Sequence, residues 1–264
     1  MPQHSPTITV ILKALSKTSK ILARDFGEIE NLQVSRKGPK DFVTASDMKV
    51  EKILIEELMK ARPKYGILAE ESGEIKGEDG EFRWIIDPID GTTNFMHGCP
   101  IFCTAVALEQ KLPSGKKEII ACVTEAPAMG ETFWAEKGNG AWLENQGRSG
   151  AARLRVAKRT KIEDSLLCVG SFASDLNQGK NIETKFSAVR CIGSTALGLA
   201  YAASGRVDCF LQNGPKAWDI AGGILLVREA GGYVSDINGQ QQIFETKTIL
   251  AANDDLHNLV MKNK

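Results

Sequence analysis

The residues best placed to do chemistry lie in one run, Asp87-Pro88-Ile89-Asp90-Gly91-Thr92-Thr93-Asn94. The run follows Trp84-Ile85-Ile86, an apolar stretch that reads as a buried strand. Pro88 fixes its own φ and holds Asp87 in extended backbone, so Asp87 leaves the strand on stiff main chain. Extended chain can turn Asp90 to the same side, with the Ile89 carbonyl between them as a third oxygen. Gly91 permits a sharp turn and a close approach by a ligand, and a helix opening at 91–93 would present free amides to an anion. Two buried, ionised aspartates repel, and one of them tends to take up a proton. A hard divalent cation removes the conflict, and Mg²⁺ bridges one or two carboxylates to substrate phosphate. An Asp-Gly turn or an Asp-Pro loop alone would be commonplace; the whole string after an apolar strand is not.

Other acids sit at the ends of predicted elements. Glu70 and Glu71 follow the short strand 66–69, where solvated charges would be ordinary. Asp47 falls in the first turn of a helix that Thr44 or Ser46 can cap, with Val50, Ile53, Leu54 and Leu58 on its buried face and Pro63 at its end. Asp219 opens a helix over 218–230, where an acid also favours the helix dipole. Gly193-Ser194-Thr195 reads locally as a helix cap before 195–204. Gly222 and Gly223 cost that helix about 1 kcal/mol each against alanine, which points to close packing against the active-site backbone.

The elements between these positions sort by period. Residues 8–26 form an amphipathic helix with Gly27 as its stop, and 35–41 is a polar loop or turn. Strand-like runs follow at 101–108, 119–125 and 131–136, with a tight turn at Gly138-Asn139-Gly140. The polar, Gly-rich stretch 144–152 marks a boundary, dividing the chain into lobes at 1–147 and 148–264. Beyond it strands at 165–170, 207–211 and 248–252 alternate with helices, the last helix capped by Asn253. The first half reads as helices on one face of a mostly antiparallel sheet.

Composition excludes several classes. The 264 residues are 42% hydrophobic, enough for one large domain or two lobes. Lys+Arg and Asp+Glu both number 33, so the net charge is zero, which argues against a nucleic-acid binder. No stretch approaches the roughly 20 apolar residues of a membrane span, and 8–12 is too short for a secretory signal. The six cysteines sit mostly in apolar runs and read as reduced core thiols of a cytoplasmic protein. His97, Cys99 and Cys103 match no zinc spacing.

Taken with these motifs, the chain resembles the inositol monophosphatase family of the lithium-sensitive, Mg²⁺-dependent phosphatases. Asp87 to Phe95 is similar to its first signature and Trp218-Asp219-Ile220-Ala221-Gly222-Gly223 to its second. Asp41 to Asp47, Ala69-Glu70-Glu71-Ser72 and Gly193-Ser194-Thr195-Ala196 match further pieces in the family's order, covering about residues 35–235. The resemblance implies an α+β and α/β protein, a layered αβαβα sandwich whose N-terminal lobe pairs helices with an antiparallel sheet and whose C-terminal lobe is α/β. It implies one Mg²⁺ site from Glu70, Asp87 and the Ile89 carbonyl, and a second from Asp87, Asp90 and Asp219. Glu70 and Thr92 then position the attacking water, Asp47 orients the threonine, and Asp90 completes the catalytic set. Asp90, Gly91, Thr92 and Thr93 would bind the phosphate, with Gly193, Ser194, Thr195, Gln212 and Asp219 at the alcohol portion.

The implied reaction is hydrolysis of a phosphorylated polyol or sugar, foremost inositol 1-phosphate, by an enzyme that works as a homodimer and is inhibited by lithium. Two positions depart from the pattern. Gln212 stands where inositol-specific members carry a glutamate, and Arg36-Lys37 stands at the loop that delivers a lysine. The same chemistry would serve a fructose-1,6-bisphosphatase, a histidinol-phosphatase or a 3′-phosphoadenosine phosphatase. A different class is a regulatory protein that binds the transcription machinery on the same fold.

Overall fold

The computed structural model describes residues 3–27, 34–38, 41–170 and 182–263. Helix α1 (Pro6–Gly27) comes first, then a hairpin of β1 (Val34–Gly38) and β2 (Asp41–Thr44) that feeds α2 (Ala45–Ala61). Strands β3 (Gly66–Ala69), β4 (Gly73–Ile75) and β5 (Phe82–Asp90) precede the short helix α3 (Thr92–Met96). A meander of β6 (Cys103–Lys111), β7 (Lys117–Ala126), β8 (Glu131–Glu136), β9 (Gly140–Asn145) and β10 (Ala151–Arg153) completes the first sheet. The chain continues through β11 (Leu166–Val169), β12 (Ala188–Cys191), α4 (Thr195–Ala203), β13 (Cys209–Asn213) and α5 (Ala217–Glu229). It ends with β14 (Tyr233–Ser235), α6 (Ile243–Thr246), β15 (Thr248–Ala252) and α7 (Asp254–Asn263).

The first sheet has the order β10-β9-β8-β7-β6-β5-β3-β4 and is antiparallel except where β3 runs parallel to β5. The second has the order β12-β11-β13-β15-β14, with β11 parallel to both its neighbours. The Gly-rich turn after β9 sends the chain back antiparallel, so β10 edges the first sheet before the chain crosses to the second.

Helix α1 buries Ile8, Ile11, Leu15 and Leu22, the stripe its period demands. Those residues share a core with Val50, Leu54 and Leu58 of α2 and with Trp84, Ile86, Val106 and Leu108 of the sheet. The other face of the same strands, Ile85, Ala105 and Ala107, packs with Leu197 and Leu199 of α4 and Ile220 and Ile224 of α5. Helices therefore cover both faces of the first sheet rather than one. Continuous apolar runs such as Trp84-Ile85-Ile86 require cover on both sides. The second cover comes from helices more than a hundred residues downstream, where a local reading has no access to it.

Those two helices also meet one face of the second sheet through Cys168, Phe210 and Ala251. Leu256 and Val260 of α7 pack on its other face against Leu167, Val169 and Leu211. The layers are α1/α2, first sheet, α4/α5, second sheet and α7, the αβαβα sandwich expected. Gly223 seats α5 in the middle layer: a Cβ there would stand 2.4 Å from Leu199 Cδ1. A Cβ on Gly222 would meet Cys122 Cβ at 3.3 Å. The glycine pair thus serves contact of α5 with α4 and β7, not with the active-site backbone as the sequence suggests. No helix among the described residues is long and apolar enough to cross a membrane.

Candidate active site

Strand β5 delivers two carboxylates to one face through an irregularity. Asp87 pairs with Ala105 and Asp90 with Cys103, so three steps on β5 match two on β6. Strict alternation over this three-residue spacing would put the two aspartates on opposite faces, so extended chain does not by itself bring them to one side as the sequence reading has it. The bulge at Pro88 and Ile89 inserts the extra residue, and proline is tolerated in a sheet at such a site. Ile86 and Ile89 go to the α1/α2 core, while the partners Ala105 and Cys103 face α4 and α5. Asp87 and Asp90 therefore both point toward the middle layer.

Asp90 is well satisfied there. It accepts hydrogen bonds from the Ser194 hydroxyl, from the Ala196 amide at 2.7 Å and from the Thr195 amide at 3.2 Å. The Cys103 thiol adds a longer contact at 3.7 Å. Asp90 thus caps α4 alongside Ser194, whose hydroxyl also accepts from the Leu197 amide at 3.4 Å. Asp87 is different: it is 2% exposed and its Oδ1 is buried with no hydrogen-bond partner.

Three further elements bring acids to the same end of β5. Strand β3 runs parallel to β5 with Ala69 opposite Ile86, and the Glu70 amide donates to the Ile86 carbonyl at 3.2 Å. Asp219, half-buried in the first turn of α5, accepts the Lys216 amide at 2.8 Å. Asp47, buried in the first turn of α2, accepts the Thr44 amide at 2.8 Å and the Thr44 hydroxyl in a capping box.

The acids feel one another. Burial raises the Asp87 carboxyl well above its ordinary range, and Glu70, Asp90, Asp219 and Asp47 each push it further. Burial, then Asp90 and Glu70, pushes Asp219 up to about 8. Burial lifts Asp47 to about 6 against the pull of its Thr44 hydrogen bonds. Burial also raises Asp90, opposed by its bonds from Ser194, Ala196 and Thr195.

Thr92 opens α3. Its hydroxyl lies 2.9 Å from the Ile89 carbonyl and 3.4 Å from Asp47 Oδ1, so its single hydrogen is engaged and its lone pairs remain to accept. Gly91 turns the chain with φ 94°, and a Cβ there would stand 2.9 Å from the Ile101 carbonyl and 3.3 Å from the Gly193 carbonyl. Only glycine lets the β5–α3 corner and the approach to α4 come this close. Thr195 donates its hydroxyl to Gln212 Oε1 at 2.8 Å, so Gln212 is buried beside the start of α4. Thr93 lies in α3 with its side chain exposed. Arg36 and Lys37 lie in the backbone of β1, and their side chains fall outside the described residues.

The residues suit a hard cation. All the facing donors are oxygens, and Asp87 holds an orphaned buried oxygen among like charges, an arrangement costly unless a cation compensates it. No three or more His, Cys, Asp or Glu side chains among the described residues form a tight, ready-made group. The arrangement is a set of facing carboxylates rather than a closed cage.

The model of the inositol monophosphatase family matches residues 3–263. The chain belongs to the inositol monophosphatase family. It is therefore a phosphomonoester hydrolase by class. An inositol-1-monophosphatase from Mesorhizobium japonicum is 44% identical over 266 residues, covering 98% of this chain and 96% of that protein. The Nus factor SuhB of Salmonella typhimurium is 36% identical over 265 residues, covering 98% of this chain and 95% of its own length. The crystal structure of the extragenic suppressor protein suhB from Bartonella henselae matches with a TM-score of 0.89 at 43% identity, covering 98% of both chains.

The contacts of three residues of this inositol monophosphatase family member escaped the sequence reading. Asn94 donates to the Ile101 carbonyl at 2.7 Å and to the Ile192 carbonyl at 2.8 Å, tying α3 to the approach to α4. Cys103 touches Asp90. Glu51 is 1% exposed and accepts the Glu71 amide at 2.7 Å and the Ser72 amide at 2.8 Å. Glu51 could have been found: it lies one helical turn after Asp47, on the stripe that otherwise buries Val50, Leu54 and Leu58. The contacts of Asn94 with Ile192 and of Cys103 with Asp90 left no such signal, because they join different elements.

Proposed function

We propose that the chain hydrolyses a small phosphomonoester, inositol 1-phosphate foremost, with Mg²⁺ held by Glu70, Asp87, the Ile89 carbonyl, Asp90 and Asp219. The observation that carries this reading is the unpartnered, buried oxygen of Asp87 in the field of Glu70, Asp90 and Asp219. Bound Mg²⁺ supplies Lewis acidity, making water a better nucleophile and neutralising charge on the departing oxygen.

The chain's own residues do the rest. Thr92, its hydrogen engaged by Ile89 and Asp47, accepts a hydrogen bond from water, and Glu70 takes up the proton that the water loses. The water oxygen bonds to phosphorus as the bond to the ester oxygen breaks, and the departing alkoxide takes a proton from bulk water, to which Glu70 returns the one it took, so that alcohol and phosphate are the products. Backbone amides at Gly91 to Thr93 hold the phosphoryl oxygens, with Asp90 and Asp219 at the border with the alcohol. Gly193, Ser194, Thr195 and Gln212 line the alcohol portion, where Gln212 brings a neutral amide instead of a charge-assisted contact. Residues 1–147 supply the metal-binding corner, and 148–264 supply Asp219 and the substrate-lining segment.

A purified panel of inositol 1-phosphate, fructose 1,6-bisphosphate, histidinol phosphate and 3′-phosphoadenosine 5′-phosphate, with and without Mg²⁺, tests the reading. Mg²⁺-dependent release of phosphate, fastest from inositol 1-phosphate and inhibited by Li⁺, is expected. Turnover that survives complete chelation would overturn it. The six free cysteines support a reducing, cytoplasmic setting, and light scattering should find a homodimer.

The likeness to a Nus factor favours a second reading, in which the same fold also binds the transcription machinery. Co-purification with RNA polymerase, retained by a variant without turnover, would establish that role as separate from hydrolysis.

A further inference from the structure

Helix α2 contributes two carboxylates to its buried face, one turn apart. Asp47 reaches the Thr92 hydroxyl, one half of the pair assigned to the attacking water. Glu51 reaches the chain just after Glu70, the other half: its Oε2 accepts the Glu71 amide, and its Oε1 accepts both the Ser72 amide and the Ser72 hydroxyl. Every one of these donors belongs to the turn that leaves β3, and Glu51 forms no ion pair among the described residues. Burying a carboxylate without a counter-ion is costly. A neutral side chain could tie the same turn at less desolvation, so the charge itself needs a reason.

The reason lies in donor and acceptor chemistry. A carboxylate only accepts, so it meets two amides and a hydroxyl in one arrangement. A glutamine would turn its NH₂ toward one of those donors. We propose that Glu51 is a positioning residue that, through the Glu71 and Ser72 amides, aims the Glu70 carboxylate at the cation beside Asp87. This rests on the functional reading above, in which Glu70 is a metal ligand. Helix α2 then sets both halves of the water-orienting pair, Thr92 through Asp47 and Glu70 through Glu51.

The test measures Mn²⁺ affinity by calorimetry on the metal-free protein, together with kcat and the Mg²⁺ concentration for half-activation. Glu51→Gln should weaken Mn²⁺ binding by about 10–100-fold, the loss seen when an outer partner of a metal ligand is removed. Its half-activating Mg²⁺ concentration should rise in step, with the KM for substrate unchanged. Ser72→Ala, at an exposed position that folding tolerates, should shift the same two quantities the same way by less. A merely structural bond would lower the folded fraction without moving either midpoint.

Wild-type Mn²⁺ affinity and half-activation in folded Glu51→Gln overturn the proposal; if that variant does not fold, wild-type values in Ser72→Ala do so. Glu70→Gln separates the two layers of inference. Should it lose Mn²⁺ affinity while the Glu51 and Ser72 variants do not, only the positioning role falls. Should Glu70→Gln bind Mn²⁺ and turn over as wild type, the functional reading falls and takes this inference with it.

Discussion

Asp208 and Glu109 are buried as deeply as Asp87 and Asp90, at 4% and 5% exposure against 2% and 8%. Asp208 meets Arg159 at 3.0 Å and the Leu166 amide at 2.8 Å, while Glu109 meets Arg83 at 2.8 Å. Away from the β5–α4–α5 corner, these acids carry a cation of their own. At the corner, Asp47, Asp87, Asp90 and Asp219 form no ion pair with Lys or Arg among the described residues, and four neighbouring acids raise the Asp87 carboxyl. Burial alone therefore does not separate structural from functional acids; the source of the compensating charge does. An acid compensated from within supports the fold, and an acid left among acids is prepared for an external cation.

The contrast can be broken most directly by opposite substitutions. Asp87→Asn should lower kcat by more than about 10²-fold, beyond the usual loss for an outer partner of a metal ligand. The metal-free protein should become more stable at neutral pH, because a carboxyl whose ionisation burial and the neighbouring acids disfavour disappears. Steady-state kinetics and thermal unfolding in chelator check the pair of effects; retained turnover, or a destabilised metal-free protein, would sink the comparison. Thr92→Ala should cost about 10²-fold in kcat, the lower end for a group assisting proton transfer, with the fold intact.

Asp208→Ala should do the reverse. It leaves the Leu166 amide without its acceptor, so stability should fall by about 1–3 kcal/mol in urea unfolding. Turnover per folded molecule should stay at the wild-type level, since the residue lies outside the acid corner.

The smallest effect sharpens the same contrast through pH. Asp47 and Asp219 rise from 3.8 to about 6 and about 8 in the folded protein. The folded state thus holds more protons than the unfolded chain above about pH 4, and stability falls as pH rises through the folded values toward about 8. Thermal unfolding of metal-free protein should show Tm declining across that window, and Mg²⁺ should flatten the decline by binding the ionised carboxylates. A Tm that rises across the window in chelator would contradict the acid corner.

Much of this was legible in the residues. The cap of α2 by Thr44, the stripe of α1, the strand before Asp87 and the cap of α7 by Asn253 are local patterns, and each took the expected form. The roles of Gly222 and Gly223 were misjudged, because a helix's own pattern does not say which neighbour its glycines meet. Covering helices on the second face of the sheet were missed for the same reason.

By itself the chain determined which oxygens exist and which are stiffly held: Asp87 before Pro88, Asp90 before Gly91, and Asp47, Glu70 and Asp219 at element ends. Backbone period and capping are short-range physics, so neighbours a few residues apart suffice to write them. Tertiary structure alone decided that β5 would bulge to put Asp87 and Asp90 on one face, and that β3, α2 and α5 would end beside them. The mutual field of these carboxylates depends on separations that arise only when two sheets and the helices between them pack together. No local window of sequence contains them.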